Sequence, residues 1–340
     1  MTADPPAPID PAEIEHVYQT LIHPILFGAS PGGELNPTLV LLGGQPGAGK
    51  SRASARLLTE HDSMVAVTGD ELRIFHPQYR QLTTDRPEQA PAILSETTRG
   101  WVRAAIQSSL DERRSLLLEG TFGDPEVTLS TADRFRDAGF RVRIVAVASP
   151  RVLSIVTVAS RYLRDRKLGN PARFTRLSAH DRGYEGTARL LGSIDSHDSV
   201  ERVTILSRSG SVLFDQARDP GRAVPFTDAV SALNIGREPA SWGARSTMEL
   251  LGELKQITSY ATASDLTPQT IELLIEAHES ALADVIPRLS IDADSPQARF
   301  IQQATAEQLV ALRRATPQPD PTAAAALTEP TRDIGGPTVA

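Results

Sequence analysis

An eight-residue segment of the 340-residue chain has the residue types and spacing of a phosphate-binding loop. It reads GQPGAGKS from Gly44 to Ser51 and matches the pattern Gly-x-x-x-x-Gly-Lys-Ser. In such a P-loop, backbone N–H groups surround a phosphate, the lysine reaches the terminal phosphates, and the serine hydroxyl can bind Mg²⁺. A structural glycine turn is the alternative interpretation. The residues that we expect to bind a nucleoside triphosphate are Gly44, Gln45, Pro46, Gly47, Ala48, Gly49, Lys50, Ser51 and Arg52, with Ser51 as the metal ligand.

Two carboxylates follow apolar segments and are candidates for chemistry beside the phosphates. Asp70 follows the segment 64–68, and Glu119 follows the segment 115–118. Asp70 stands where small-molecule kinases carry an acid that orients an acceptor hydroxyl and takes up its proton. The alternative role for Asp70 is an N-cap of the helix ELRIF. Glu119 ends a buried strand, where a carboxylate is costly without a partner such as a ligand hydroxyl or Mg²⁺-bound water.

Arginines are needed where negative charge develops on the equatorial oxygens of a transferring phosphoryl group. Arg161, after the fourth predicted strand, and Arg173, beyond a Gly-Asn-Pro break, bracket a predicted lid. Arg164, Arg166 and Arg176 are rivals that composition does not separate from them.

The elements that must position these residues alternate between strands and helices. Such alternation predicts an α/β fold, a P-loop kinase-like parallel sheet flanked by helices, with active groups at the carboxyl ends of the strands. The predicted strands are 39–43, Met64–Thr68, Ser115–Leu118 and Arg141–Ala148, followed by a hairpin of Val203–Leu206 and Ser211–Phe214. The predicted helices of this part are Ala12–Leu26, Arg52–Leu58, Gln89–Leu110, Val127–Ala138 and a long one that ends near Arg166.

We expect four regions along the chain. An N-terminal helix and linker occupy 1–38, and the P-loop core occupies 39–220, with its lid near 161–178. Helices form a C-terminal region over 221–315, in which 221–240 is a loop and breaks fall near 264–267 and 291–295. The proline-rich and alanine-rich tail, 316–340, is expected to be disordered.

Composition excludes several classes of protein. A formal net charge of −7 argues against a general nucleic-acid binder, which would carry a basic face. The chain has no cysteine, so neither a disulfide framework nor a cysteine zinc site is available. No apolar run approaches the length of a membrane span. We therefore expect a cytoplasmic protein with neither nucleic acid nor membrane as a partner.

The motifs together resemble those of the zeta toxins, bacterial P-loop kinases that phosphorylate UDP-N-acetylglucosamine. LLGGQPGAGKS resembles the family's P-loop, and GDELR with the later His76-Pro77 resembles its second-strand segment. LEGT, ending at Thr121, is similar to the family's "EGT" strand end, and Arg161-Tyr162 to its "RY". The hairpin ILSRSGSVLF also resembles a family hairpin. The resemblance covers roughly residues 12–218.

The resemblance implies roles for individual residues. Lys50 and Ser51 would serve ATP and Mg²⁺, and Asp70 would be the base toward the sugar 3′-hydroxyl. Glu119, Thr121 and Thr131 would contact the UDP-sugar, and Arg161 and Arg173 would stabilise the transferring phosphoryl group. It also implies a toxin that depletes a peptidoglycan precursor, and a small helical antitoxin as a partner.

The chain departs from the family in the acceptor half of the site. Phe122-Gly123 stands where the family often has an arginine, and the helix before the third strand offers Arg103 or Val102 in place of an acid. Two alternatives therefore stay open. One is a P-loop kinase of another hydroxylated metabolite or antibiotic, similar to chloramphenicol phosphotransferases. The other is a nucleotide-binding regulator without catalysis.

Overall fold

One six-stranded sheet forms the centre of the computed structural model, which describes residues 9–29, 32–218, 224–239, 244–264, 266–289 and 291–315. The strand order is β2-β3-β1-β4-β5-β6, in which β1 to β5 are parallel and β6 pairs antiparallel with β5. The strands are β1 (Thr38–Gly43), β2 (Val65–Thr68), β3 (Leu116–Glu119), β4 (Arg141–Ala148), β5 (Arg202–Ser207) and β6 (Val212–Ala217). The predicted α/β fold with a parallel sheet is confirmed.

Helices connect the strands and continue beyond them. The first are α1 (Pro11–Val17) and α2 (His23–Phe27), joined by a π-helical segment (Tyr18–Ile22), then α3 (Lys50–Thr59), α4 (Gly69–Leu72), α5 (Tyr79–Asp85), α6 (Ala90–Ile93) and α7 (Ser95–Asp111). The later helices are α8 (Pro125–Asp137), α9 (Arg151–Lys167), α10 (Leu177–Ser193), α11 (Ala229–Arg237), α12 (Ala244–Thr262), α13 (Pro268–Ser280) and α14 (Pro296–Ala315). Short helical turns are Arg73–Phe75, Ile194–Ser196, Ala281–Val285 and Ile286–Arg288.

Both faces of the sheet are buried, as the continuous apolar sequence of a parallel strand requires. Along β1, Leu39 and Leu41 pack into the core beneath α7, α8 and α10, whereas Val40 and Leu42 pack into a second core beneath α3. This period of two follows from the pleat, which points successive side chains to opposite faces. The sheet is therefore fixed from both sides, and its carboxyl edge is a rigid platform.

The helices α12, α13 and α14 form a unit that packs against α9 rather than against the sheet. Its core joins Val156 and Leu163 of α9 to Leu254 of α12 and Leu274 of α13. None of the described helices is long and apolar enough to cross a bilayer.

The prediction that 221–240 is a loop is wrong. Ala229–Arg237 forms α11, and Phe226, Ala229 and Leu233 are buried against the sheet core. Val230 and Ala232 are partly buried against the same core, so the helix is held by tertiary packing of a short segment. The division of the chain at residue 220 stays a prediction, and the tail 316–340 lies outside the described residues.

Candidate active site

A cavity of about 470 Å³ opens at the carboxyl edge of the sheet, where β1, β2 and β3 end. Its walls contain the end of the P-loop, both candidate acids and both candidate arginines. From the sequence-predicted set, the residues that line it are Pro46, Gly47, Gly49, Lys50, Ser51, Asp70, Glu119, Thr121, Arg161 and Arg173. The fold thus brings together groups that are far apart in the sequence.

Glycines shape the loop that follows β1. Gly44, Gly47 and Gly49 have φ angles of 145°, 80° and 99°, a region that side chains with a Cβ rarely adopt. Gly47 also lies against α9, because a Cβ built on it would be 2.3 Å from the carbonyl oxygen of Ser154. The loop can therefore lie against α9 only with glycine at this position, and α3 begins directly after it at Lys50.

The side chain of Lys50 folds back onto the P-loop. Its Nζ donates to the carbonyl oxygens of Gly44, at 2.9 Å, and Gln45, at 3.3 Å. Burial lowers the pKa of the Lys50 ammonium to about 8, while the nearby Glu119 carboxylate opposes that shift. The protein thus keeps a poorly solvated cation at the place where a phosphate chain would provide a counter-charge.

Asp70 is an ion-pair partner and not a helix cap. The cap position of α4 is Thr68, no side chain makes a capping hydrogen bond there, and Asp70 lies inside the first turn. Its carboxylate pairs with Arg73 at 3.1 Å and with Arg173. The alternative N-cap role is therefore wrong, because the carboxylate pairs with Arg73 and Arg173 and not with the N-terminal N–H groups of its own helix.

Glu119 ends β3, next to the strand that Asp70 follows, because β3 pairs with β2 and Glu119 is in register with Thr68. Burial raises the pKa of its carboxyl group, and the Lys50 ammonium acts in the opposite direction. The following loop turns sharply at Phe122, which has a φ of 55° and packs its ring on Gly43 of β1. A Cβ on Gly186 of α10 would lie 2.2 Å from the Phe122 carbonyl oxygen, so α10 packs directly on this loop. Thr121 is thereby held at the cavity wall.

The structure separates the candidate arginines. Arg161 and Arg173 line the cavity, and desolvation followed by repulsion from Arg173 lowers the pKa of Arg161. Arg164 pairs with Glu253 of α12 at 3.4 Å and lines a neighbouring cavity. Arg166 donates to the hydroxyl of Tyr162 in the preceding turn, and Arg176 is the exposed cap residue of α10.

Seven of the described residues that line the cavity were not predicted from the sequence as site residues: Thr68, Gly69, Glu71, Arg73, Gly120, Thr157 and Arg208. Arg208 lies in the turn of the β5–β6 hairpin, donates to the carbonyl oxygen of Gly47 and donates to the Thr157 hydroxyl at 3.0 Å. The sequence contains a signal for both Arg208 and Thr157. Arg208 directly follows a parallel strand at its carboxyl end, and Thr157 precedes Arg161 by one helical turn on the same face of α9.

Several predicted residues do not line this cavity. Thr131 lies on α8, where its hydroxyl donates to the Val127 carbonyl oxygen at 2.8 Å. Gly44, Gln45 and Ala48 lie behind the loop surface, and Arg52 lines the neighbouring cavity. Gly123, at the departure from the family pattern, also lies outside the lining, and the aliphatic part of Arg182 covers it within about 3.4 Å of where a Cβ would stand.

A buried polar chain supports the P-loop from behind. Gln45 is fully buried, and its Nε2 donates to the carbonyl oxygen of Ser149 at 2.8 Å and to the Ser154 hydroxyl at 3.3 Å. The Ser154 hydroxyl contacts Nε2 of His180 at 2.8 Å, and Nδ1 of His180 contacts Asp181 at 2.9 Å. Because Ser154 is also fully buried, this chain of contacts holds the loop and offers no accessible nucleophile.

Comparison with known proteins gives a consistent set of relatives. The family model described as "Zeta toxin" matches residues 29–219. Toxin PezT of Streptococcus pneumoniae is 27% identical over 182 residues, which cover 53% of this chain and 72% of PezT. Toxin zeta of Enterococcus hirae is 23% identical over 188 residues, covering 54% of this chain and 65% of that toxin.

The fold is also similar to one solved in a study of the PezAT toxin-antitoxin system of Streptococcus pneumoniae. The similarity has a TM-score of 0.62 at 21% identity and covers 75% of this chain and 98% of the compared chain. At this identity the similarity supports the fold alone.

The contact of Gly47 with α9 gives a first prediction. We expect Gly47→Ala to weaken ATP binding and to lower the free energy of unfolding by more than the roughly 1–2 kcal/mol of a left-handed alanine, because its Cβ also meets the Ser154 carbonyl oxygen. Gly33→Ala is the control, since Gly33 has a φ of 77° and open space around it. Urea unfolding and calorimetric titration with ATP measure both effects. Equal losses in the two variants would contradict the argument.

The lowered pKa of Lys50 predicts how ATP binding depends on pH. Bound phosphates favour the charged form of the Lys50 ammonium, whose pKa is about 8 in the free protein. The binding of ATP should therefore be accompanied by the uptake of about 0.1 proton per molecule at pH 7 and about 0.9 proton at pH 9. The affinity should then fall about tenfold per pH unit above pH 8. Titration without divalent cations, in buffers of different ionisation enthalpy, measures the uptake. Lys50→Arg should remove the dependence, and an uptake that is flat in the wild type would contradict the prediction.

Proposed function

The chain belongs to the zeta toxin family, and from this premise we propose that it is an ATP-dependent kinase of zeta-toxin type. The acceptor is the 3′-hydroxyl of the amino sugar in UDP-N-acetylglucosamine or a related UDP-sugar. One observation carries the proposal. A single cavity contains the P-loop lysine and serine, two carboxylates from neighbouring strand ends, and two arginines from the lid region.

The two ends of this cavity suit the two reactants. Lys50 and Ser51 stand at the phosphate end, where the start of α3 also favours an anion. Asp70 and Glu119, at the ends of neighbouring strands, would meet the acceptor. Asp70 orients the acceptor hydroxyl and takes its proton as the oxygen bonds to the γ-phosphorus and ADP departs.

The arginines act on the charge of the transferring group. Arg161 and Arg173 reach the cavity from α9 and from the segment after it. Their guanidinium groups stabilise the charge that spreads over the equatorial oxygens. A regulator that only binds a nucleotide does not require this pair, which favours catalysis over the regulator alternative.

Mg²⁺ fits this site as a companion of the nucleotide. No group of three or more acidic, His or Cys side chains capable of holding a metal ion occurs among the described residues. The cavity instead offers the Ser51 hydroxyl with Asp70 and Glu119 nearby, the sparse donor set that suits a cation bound mainly through phosphates. When bound, Mg²⁺ would neutralise part of the phosphate charge, and Ser51 would hold it.

The identity of the acceptor molecule depends on the residues in the part of the cavity that contains Glu119. Glu119 and Thr121 line the cavity and can bind sugar hydroxyls, whereas Thr131 and Gly123 lie away from its lining. A kinase of another hydroxylated metabolite, such as an antibiotic, is the second candidate, because the family's usual acceptor arginine is absent at Gly123.

We also propose that the protein has an antitoxin as its partner and that it acts as a toxin in the cell. The family membership and the fold shared with the compared PezAT chain support a toxin that a small antitoxin protein silences. Phosphorylation of the UDP-sugar would remove a peptidoglycan precursor in the cytoplasm.

Loss of the P-loop cation tests the kinase. Lys50→Ala should reduce phosphoryl transfer by at least about a hundredfold, because it removes the cation that would bind the phosphates. The thermal unfolding midpoint should stay nearly unchanged, because the Lys50 ammonium contacts carbonyl oxygens of the P-loop and is not part of an apolar core. Lys255→Ala, on the exposed side of α12, is the matched control. Transfer from ATP is followed by mass spectrometry with UDP-N-acetylglucosamine, other UDP-sugars and chloramphenicol. Full activity of Lys50→Ala would exclude the P-loop as the site.

Asp70 separates a kinase from a regulator. Asp70→Asn should lower turnover by about a hundredfold or more while changing ATP affinity far less, because the amide cannot accept the acceptor proton. Asp85→Asn, an exposed acid at the end of α5, is the control. If Asp70→Asn transferred phosphate at the wild-type rate, the carboxylate would serve only as the ion-pair partner of Arg73 and Arg173.

A further inference from the structure

A second and larger cavity adjoins the candidate active site. It has a volume of about 750 Å³ and shares Thr157, Arg161 and Arg208 with the first cavity. Arg208 donates hydrogen bonds to the Gly47 carbonyl oxygen and to the Thr157 hydroxyl, which places two of the shared residues beside the P-loop, whereas Asp70 and Glu119 line the first cavity and not the second. A triphosphate on the P-loop that points its terminal phosphate toward Asp70 would therefore direct its nucleoside into the second cavity.

One wall of this second cavity comes from the C-terminal helices. Ser246, Glu249, Leu250 and Glu253 of α12 line it, opposite α9 and the β5–β6 hairpin. The helix α12 lies beyond residue 219, where the family match ends. The structure thus joins a segment outside the family match to the cavity that continues the P-loop site.

Contacts between α12 and α9 fix this wall in place. The Ser160 hydroxyl donates to a carboxylate oxygen of Glu253, and Arg164 donates to the same oxygen at 3.4 Å. Leu250 is buried in the core that α9 and α12 share. Because Glu253 is anchored in this way, the wall has a defined position against α9.

Both cavities carry charges of both signs. Acids of the strand ends and of α4 line the first cavity, whereas the acids of the second cavity, Glu249 and Glu253, come from α12 and lie in a lining that also contains arginines: Arg52, Arg161, Arg164 and Arg208. Carboxylates repel a triphosphate but accept hydrogen bonds from ribose hydroxyls or an exocyclic amine. Glu249 is the more available of the two, because 63% of its side chain is exposed and it forms an ion pair with Arg245 of its own helix, at 2.8 Å.

We propose that α12 forms the outer wall of the nucleoside subsite, and that Glu249 accepts hydrogen bonds from the ribose or base of the bound nucleotide. The inference rests on the proposed function, because it takes the P-loop as the triphosphate site. It assigns nucleoside recognition to a helix beyond the family match and leaves phosphate binding to the P-loop.

The experiment compares ATP with inorganic tripolyphosphate, which has phosphates but no nucleoside. Ser246→Trp places an indole in the cavity, and Ser259→Trp makes the same change at an exposed position of α12 outside the lining. Calorimetric titration of the full chain should give a loss of ATP affinity of about tenfold or more for Ser246→Trp, with tripolyphosphate affinity unchanged. Ser259→Trp should match the wild type for both ligands.

A second pair of variants tests the carboxylate. Glu249→Gln should weaken ATP several-fold without affecting tripolyphosphate, whereas Glu272→Gln, on the exposed face of α13, should change neither. Since α12 is held by buried residues, these surface substitutions leave its packing intact, and thermal unfolding checks this.

The remaining outcomes overturn the inference in distinguishable ways. If Ser246→Trp and Glu249→Gln bind both ligands as the wild type does, α12 does not contact the nucleoside, and the P-loop assignment stands. If Glu249→Gln binds ATP more tightly than the wild type does, the Glu249 carboxylate repels the nucleotide instead of accepting hydrogen bonds from it. If the wild type binds neither ATP nor tripolyphosphate, the proposed function fails, and this inference fails with it.

Discussion

The close contact between the P-loop and α9 is the constraint on which the rest of the site depends. Gly47 lies so near the Ser154 carbonyl oxygen that no side chain fits between them. Behind the loop, Gln45 is tied to Ser149 and Ser154. Because α9 also carries Thr157 and Arg161, the same contact that shapes the loop sets the distance from the loop to this arginine. Loop and helix therefore form one continuous binding surface.

Around this surface the protein concentrates positive charge and balances it only in part. Burial leaves the Lys50 ammonium poorly solvated. Desolvation and repulsion from Arg173 both destabilise the charged form of Arg161 and lower its pKa. Asp70 compensates by pairing with Arg73 and Arg173. An incoming phosphate would supply the missing negative charge, and it would compete with Asp70 for Arg173. The candidate base and the lid arginine are thus linked electrostatically before any substrate binds.

The C-terminal helices form a second wall beside the carboxyl edge of the sheet. They share a core with α9 and not with the sheet, so their position follows that of the helix that carries Arg161. Arg151 of α9 extends this linkage, because it pairs with Asp181 of α10 at 2.7 Å and with Glu276 of α13. The helices α10, α12 and α13 are therefore all held in position relative to the P-loop by their contacts with α9.

The sequence by itself determined the parallel sheet, the P-loop and the acids after β2 and β3, because each depends on a local pattern: apolar strands, glycine spacing and residues next to a strand end. Composition did not separate Arg161 and Arg173 from Arg164, Arg166 and Arg176, although the family resemblance named the first two, and neither Arg208 nor α11 was predicted. Only the tertiary structure decided these, because which side of α9 faces the cavity, and which hairpin turn reaches Gly47, depends on packing between segments far apart in the chain. The role of α12 as a cavity wall depends on the same long-range packing, which no local pattern in its own residues expresses.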